Sequence, residues 1–287
     1  MAGVRLMVRA MISLGVVLGM FAVSWQGLPA QVLPLRERSA KAKLLLQEVV
    51  DALGGQAFRE VRDSDCQGQM AEFDHNSEVI IYAPFRELLL LPDKSRMEYS
   101  FKGQVLIAVI SGEKAWMLDK TGISDQPDNA INSVAQEARL GMYSTLRSLP
   151  SDAETLQFYY AGKDLIDLKA VDWIESDRYD RELRLAIEES THLPVRWVVS
   201  SKDPTVGEPI EEVTSYAQFI ANDGVQTPQS ISYTLNGRLI SQISVSSCRY
   251  NVNLSPEMFT MTALEERQRE VSNRRTKKGD SWSHRDP

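Results

Sequence analysis

Residues able to do chemistry are few and scattered in this chain of 287 residues. Three histidines, His75, His192 and His284, lie far apart, and no two have the i, i+4 spacing that puts a pair of imidazoles on one helix face for zinc. The only cysteines, Cys66 and Cys248, form no C-x-x-C, so the donor set points to no metal centre. A G-x-S-x-G elbow, a Walker loop and a G-x-G-x-x-G turn are all missing. Neighbouring carboxylates such as Asp63/Asp65 and Glu188/Glu189 read as solvated faces. A glycosidase pair converging from two distant strands stays open at this level. The reading is therefore of a binding protein rather than an enzyme, with no catalytic residue and no cofactor.

The net charge of −7, without a basic cluster in the folded part, argues against nucleic acid, which needs grouped Lys and Arg to neutralise phosphates. Arg5 and Arg9 precede an apolar run, Ala10–Val23, that would span about 21 Å as a helix, short of roughly 30 Å of bilayer hydrocarbon. With Gly27-Leu28-Pro29-Ala30 behind it, the run reads as a signal peptide over residues 1–30, cleaved near Ala30, for export to the periplasm. An uncleaved anchor or a buried helix is the alternative. Export implies an oxidising compartment, where Cys66 and Cys248 either pair or stay as two separately buried thiols. Pairing would close a loop of about 180 residues and stabilise by at most roughly 5 kcal/mol in the chain-entropy picture.

The elements that must position any site follow from periodicity. After a linker over residues 31–39, Ser39 is an expected N-cap for a helix through Leu44, Leu45, Val49, Val50 and Leu53, stopped by Gly54-Gly55. Strands are expected over residues 61–73 and 78–91, with Asp74-His75-Asn76-Ser77 as turn chemistry between them. Met97, Tyr99 and Phe101 then alternate with Arg96, Glu98 and Ser100, the period of a strand with one apolar face. A partner strand over residues 104–110 leads through Ser111-Gly112-Glu113-Lys114 to Trp116. The period changes to helical over residues 130–149, which include Leu140 and Met142. Seven further strands are expected at residues 155–162, 164–176, 181–188, 195–201, 211–221, 229–235 and 239–251. The first carries Phe158 and Tyr160, and Asn236-Gly237 is a type I′ hairpin signal followed by a phase slip that a bulge would explain. Residues 263–287 read as a disordered polar tail.

This pattern is α+β: a curved antiparallel sheet with helices covering its concave face. Such a sheet encloses an apolar hollow, with Met97, Tyr99, Phe101, Trp116, Leu140, Met142, Phe158 and Tyr160 as the expected wall. Burial of about 0.8 kcal/mol per CH₂ makes one C16 acyl chain worth roughly 12 kcal/mol gross, enough for a carrier with no catalytic group.

The order of elements resembles the outer-membrane lipoprotein carrier (LolA-like) superfamily over residues 40–262. Leu91-Pro92-Asp93-Lys94-Ser95-Arg96 is similar to that superfamily's strand start, and Ser111-Gly112-Glu113-Lys114-Ala115-Trp116 to its hairpin. His192-Leu193-Pro194 and Gly224-Val225-Gln226-Thr227-Pro228 follow in the same order. The resemblance implies an incomplete β-barrel (half-barrel) that shelters the acyl chains of a lipid or acylated protein. A monomer in transient contact with membrane components is expected. The carriers have an Arg before the strand-start proline, tied to opening and closing of their lid, and here that residue is Leu91. The expected role is thus a periplasmic lipid or lipoprotein carrier or sensor. The alternative is an envelope scaffold or regulatory module that uses the same fold to bind protein.

Overall fold

Six strands in the first half of the chain form an antiparallel meander: β1 Asp63–Phe73, β2 Val79–Leu90, β3 Lys94–Phe101, β4 Gln104–Ser111, β5 Lys114–Asp119 and β6 Gly122–Asp125. Seven more form a second: β7 Tyr159–Ile166, β8 Lys169–Arg178, β9 Arg181–Glu188, β10 Pro194–Lys202, β11 Pro209–Asn222, β12 Val225–Leu235 and β13 Arg238–Tyr250. Their order, β6-β5-β4-β3-β2-β1-β13-β12-β11-β10-β9-β8-β7, makes one curved sheet of thirteen strands among the described residues. β6 and β7 remain its edges, so the sheet does not close into a barrel. The computed structural model describes residues 33–127, 141–149, 157–178, 181–203 and 205–280. Of these, the chain from Pro34 onward forms a single unit. All contacts between sequential strands are local hairpins; only β1 with β13 joins the two meanders.

The curved antiparallel sheet with covering helices is the one the sequence pattern predicts, and a further helix covers part of its other face. α1 (Leu35–Ala52), α2 (Gln56–Arg59) and α3 (Met142–Ser148) pack on the inner face of the second meander. There Val49, Leu53, Phe58, Met142 and Leu146 meet Ile174, Leu185, Trp197 and Tyr216. The opposite, outer face of the first meander is covered by a 3₁₀ turn, Pro256–Phe259, and by α4 (Met261–Asp280). Phe259 and Leu264, both 0% exposed, pack there on Leu88, Ile107, Val109 and Leu118. No described helix is long and apolar enough to cross a membrane.

Several local differences have plain causes. α1 starts at Leu35 rather than after Ser39, because the Pro34 carbonyl accepts from the amides of Glu37 and Arg38 at 2.9 and 3.0 Å and opens the helix early. Arg38, inside that first turn, then reaches the Tyr160 carbonyl (2.7 Å) and the Glu175 carboxylate (2.8 Å) and fastens the helix to β7 and β8. The turn between β7 and β8 falls at Asp167-Leu168, both at positive φ, and not near Gly162, whose φ of +123° marks a register shift in β7. Asn236 and Gly237 take the positive φ values of a type I′ turn, and the register shift that follows leaves Ile240 unpaired as the bulge residue. Within the polar tail expected over residues 263–287, residues 263–280 belong to α4, since Leu264, Gln268 and Val271 recur at helical spacing against the edge of β5 and β6; residues 281–287 lie outside the described residues.

Gly54 shows why α1 ends where it does. Its φ is +125°, and a Cβ there would lie 2.2 Å from the Gly224 carbonyl oxygen, so only glycine lets the helix end press on the β11–β12 turn. The contact is completed by the Gln226 amide donating to the Leu53 carbonyl at 2.9 Å.

Candidate functional site

Register sorts the expected wall residues into separate places. Cys66, Glu87 and Met97 are successive cross-strand partners on β1, β2 and β3, and Gly68, Phe85 and Tyr99 form the row beside them. By strand alternation Met97, Tyr99 and Phe101 all point to the inner face. Trp116 does not. It pairs with Val109, which pairs with Arg96, and it packs with Leu88, Leu118, Met258 and Phe259 under the C-terminal turn. Met142 and Phe158 are buried in the core beneath the helices, 1% and 4% exposed, and Tyr160 lies at its margin with the Lys41 ammonium 3.4 Å above its ring centre. Leu140 lies outside the described residues, as does most of the helix expected over residues 130–149.

The inner face thus divides into a covered part and an open part. Over β7 to β12 it is sealed by α1, α2 and α3. Over β3 to β5, Met97, Tyr99, Phe101, Leu106 and Met117 are half-buried, while their outer-face neighbours Ile107 and Val109 are 0% exposed. Tyr250 and Ile231 touch both parts and make the apolar surface continuous. Gly68 contributes by omission: a Cβ there would meet the Phe85 ring at 3.0 Å and the Ser244 carbonyl closer still, so glycine lets Phe85 lie flat across β1.

At the boundary stands the seam of the sheet. Cys66 and Cys248 face each other directly across β1 and β13, with Cα atoms 4.0 Å apart, and are joined as a disulfide. It sits among Met70, Phe85, Val245 and Met97.

Polar groups on this face are few and poorly compensated. Glu87 points between Cys66 and Met97, and burial raises its carboxyl above the ordinary carboxylate value. Burial likewise raises the phenols of Tyr143, Tyr216 and Tyr250; the last shares a 2.9 Å hydrogen bond with the Thr227 hydroxyl. Arg147 on α3 donates from Nε to the Phe58 carbonyl at 3.1 Å and lies 4.7 Å over the Phe58 ring. None of these groups stands out in the sequence reading. The available signals were a carboxylate in inner-face phase between Phe85 and Leu89, and the i, i+4 pair Tyr143/Arg147.

Glu87 makes stability pH-dependent in a definite sense. A carboxyl whose folded value is raised contributes stability fully below its unfolded value, near 4.5, and loses it as pH rises through the folded value. Glu87→Gln is therefore expected to melt at a higher temperature than the parent at pH 8 and at the same temperature at pH 4. Thermal melts at both pH values check this; equal or lower melting of the variant at pH 8 would place the carboxylate in a compensated environment.

A crevice of about 100 Å³ lies on the other side of the molecule, between the β5–β6 turn and α4, lined by Val105, Leu118, Thr121, Gln268 and Val271. Ligand pockets usually run to about 300–1,000 Å³, so it is too small for an acyl chain. The open inner face over β3 to β5 is the candidate site.

No known protein family's sequence signature matches the chain, and no curated protein matches it in sequence. Solved structures do. A LolA superfamily protein from Nitrosomonas europaea is 14% identical, with a TM-score of 0.51 over 78% of this chain and 99% of that one. A DUF1329 family protein from Desulfovibrio piger is 13% identical, with a TM-score of 0.51 over 77% and 98%. A domain assigned to outer membrane lipoprotein sorting from Vibrio parahaemolyticus is 12% identical, with a TM-score of 0.50 over 78% and 99%. At such identities the likeness is one of fold, and the fold is LolA-like.

Proposed function

With the LolA-like half-barrel as premise, we propose that this protein is a periplasmic, non-enzymatic carrier or sensor that shelters the acyl chain of a lipid or acylated protein on the inner face of β3 to β5. One observation carries the reading. Met97, Tyr99, Phe101, Leu106 and Met117 form an apolar surface that is half-exposed and continuous with the buried core, whereas the outer face of the same strands is closed by Phe259 and Leu264. A contiguous apolar surface left open beside a packed core is what a reversible apolar ligand requires. Gross acyl burial of about 0.8 kcal/mol per CH₂ supplies the affinity without any reacting group. The relatives in fold include a domain assigned to lipoprotein sorting, which supports the same reading.

Displacement of a fluorescent fatty acid from delipidated protein tests it, with binding expected at micromolar concentration. Tyr99→Asp is expected to weaken binding at least ~100-fold by placing a charge that would have to be desolvated against the chain. Trp116→Phe, on the outer face, is expected to leave affinity unchanged. Absence of binding by the parent protein would overturn the carrier reading and favour a protein partner on the same face. Equal loss in both variants would remove the inner face as the site.

A further inference from the structure

We propose that Arg147 and the hydroxyl of Tyr143 form an anion subsite at the border of the open inner face, holding the carboxylate or phosphate headgroup of an acyl ligand whose chain lies along Met97 and Tyr99. The inference rests on the acyl-binding reading and adds the chemical class of the headgroup.

Arg147 differs from three arginines that fasten other elements of the sheet. Arg38, Arg86 and Arg96 each meet a carboxylate, at 2.8, 2.8 and 2.6 Å. Arg147 has no carboxylate partner among the described residues. Its Nε is used on the Phe58 carbonyl, and its guanidinium lies 4.7 and 5.6 Å from the ring centres of Phe58 and Tyr143. A guanidinium is always charged and carries five donors, so the remaining four on the terminal nitrogens are unassigned by protein acceptors among the described residues. One turn earlier on the same helix, the Tyr143 hydroxyl is buried and has no hydrogen-bond partner among the described residues. A buried hydroxyl without a partner costs roughly 1–3 kcal/mol, which an anionic oxygen would offset by accepting from it.

Position completes the case. Tyr250 lies within the electrostatic reach of Arg147 and also packs in the cluster that holds Met97 and Tyr99. A headgroup at Arg147 therefore leaves its chain directed over the seam onto the open surface. The titratable groups facing the site are Tyr143 on the same helix and, from the sheet and its turns, Tyr216, Tyr233, Tyr250, Glu87 and Asp223. Of the two acids, Glu87 lies on β2 and Asp223 in the β11–β12 turn, where it accepts from the Tyr250 amide at 2.9 Å; both act on Tyr250, while Arg147 reaches the same tyrosine from α3.

Calorimetric titration of the delipidated exported protein with oleate, 1-oleoyl lysophosphatidate and oleyl alcohol, all below their aggregation limits, tests the subsite. The two anions are expected to bind at least ~10-fold tighter than the alcohol, since charge-assisted hydrogen bonds are about twice as strong as neutral ones. Preference for oleate over lysophosphatidate, or the reverse, identifies the headgroup source. Arg147→Met is expected to abolish the preference while leaving alcohol binding unchanged, and Arg147→Lys to restore part of it. Tyr143→Phe, which keeps the ring and removes only the unpartnered hydroxyl, is expected to weaken the anions a few-fold without loss of fold. Equal binding of oleate and alcohol by the parent, or an undiminished preference in Arg147→Met, overturns the anion subsite and leaves the acyl reading standing. Failure of all three ligands overturns the acyl reading itself.

Discussion

Replacing both Cys66 and Cys248 with alanine is expected to lower stability by about 3–5 kcal/mol. The bridge joins residues 182 apart in sequence, so its loss releases a very long loop in the unfolded chain. Its place in the sheet adds to this. Among the described residues every other strand pair is a local hairpin, and β1 with β13 is the one long-range pairing that joins the two meanders. Urea denaturation of the oxidised parent, the reduced parent and the double variant checks the claim. The last two should unfold at one common, lower midpoint, and coincidence of all three would show that the bridge contributes nothing.

Arg96→Ala is expected to destabilise by about 3 kcal/mol, the lower end of the range for breaking a buried charge pair, because Glu98 keeps a fifth of its side-chain surface exposed. Arg96 is 6% exposed on the outer face of β3. Its Nε donates to Glu98 at 2.6 Å and its Nη1 to the Met258 carbonyl at 2.9 Å, so one guanidinium ties the strand to the C-terminal turn. Its removal leaves Glu98 without its hydrogen-bonded cation and the Met258 carbonyl without its donor, next to Phe259. Lysine is expected to recover only part of the loss, since a single ammonium lacks the planar fork that serves both acceptors. Chemical denaturation measures the size, and proteolysis near Met258 measures whether the turn lifts first. A variant within about 0.5 kcal/mol of the parent would make Arg96 an ordinary surface charge.

That result would also give the strand-start segment Leu91–Arg96 its physical meaning in this chain. The terminal Arg of the segment holds the outer cover in place, on the side away from the candidate site. In the Trp116 position the same logic applies. As a large aromatic on an apolar-alternating strand it is indistinguishable in sequence from a cavity-wall residue, yet its cross-strand partners Val109 and Arg96 place it under Phe259.

Periodicity and turn chemistry by themselves determined much of this protein. Alternation in residues 96–101 and 181–188, the Asn236-Gly237 turn and the phase slip after it are local consequences of strand pleat and of the positive φ that only some residues accept, and they appear in the structure where the sequence places them. The helical stripe ending at Gly54-Gly55 is legible for the same reason. What a strand's pattern cannot state is which of its two faces a distant element will cover. Both faces of β4 and β5 carry apolar residues, so the division into a sealed outer face and an open inner one depended on where α4 came to rest, and α4 itself reads as polar until Leu264, Gln268 and Val271 find a surface. The pairing of Cys66 with Cys248 and the placing of Arg147, Tyr143 and Glu87 around one tyrosine likewise depended on the joining of β1 to β13. Local preferences set each strand and turn; the long-range seam, whose cysteines lie 182 residues apart, brought the residues of the candidate site together.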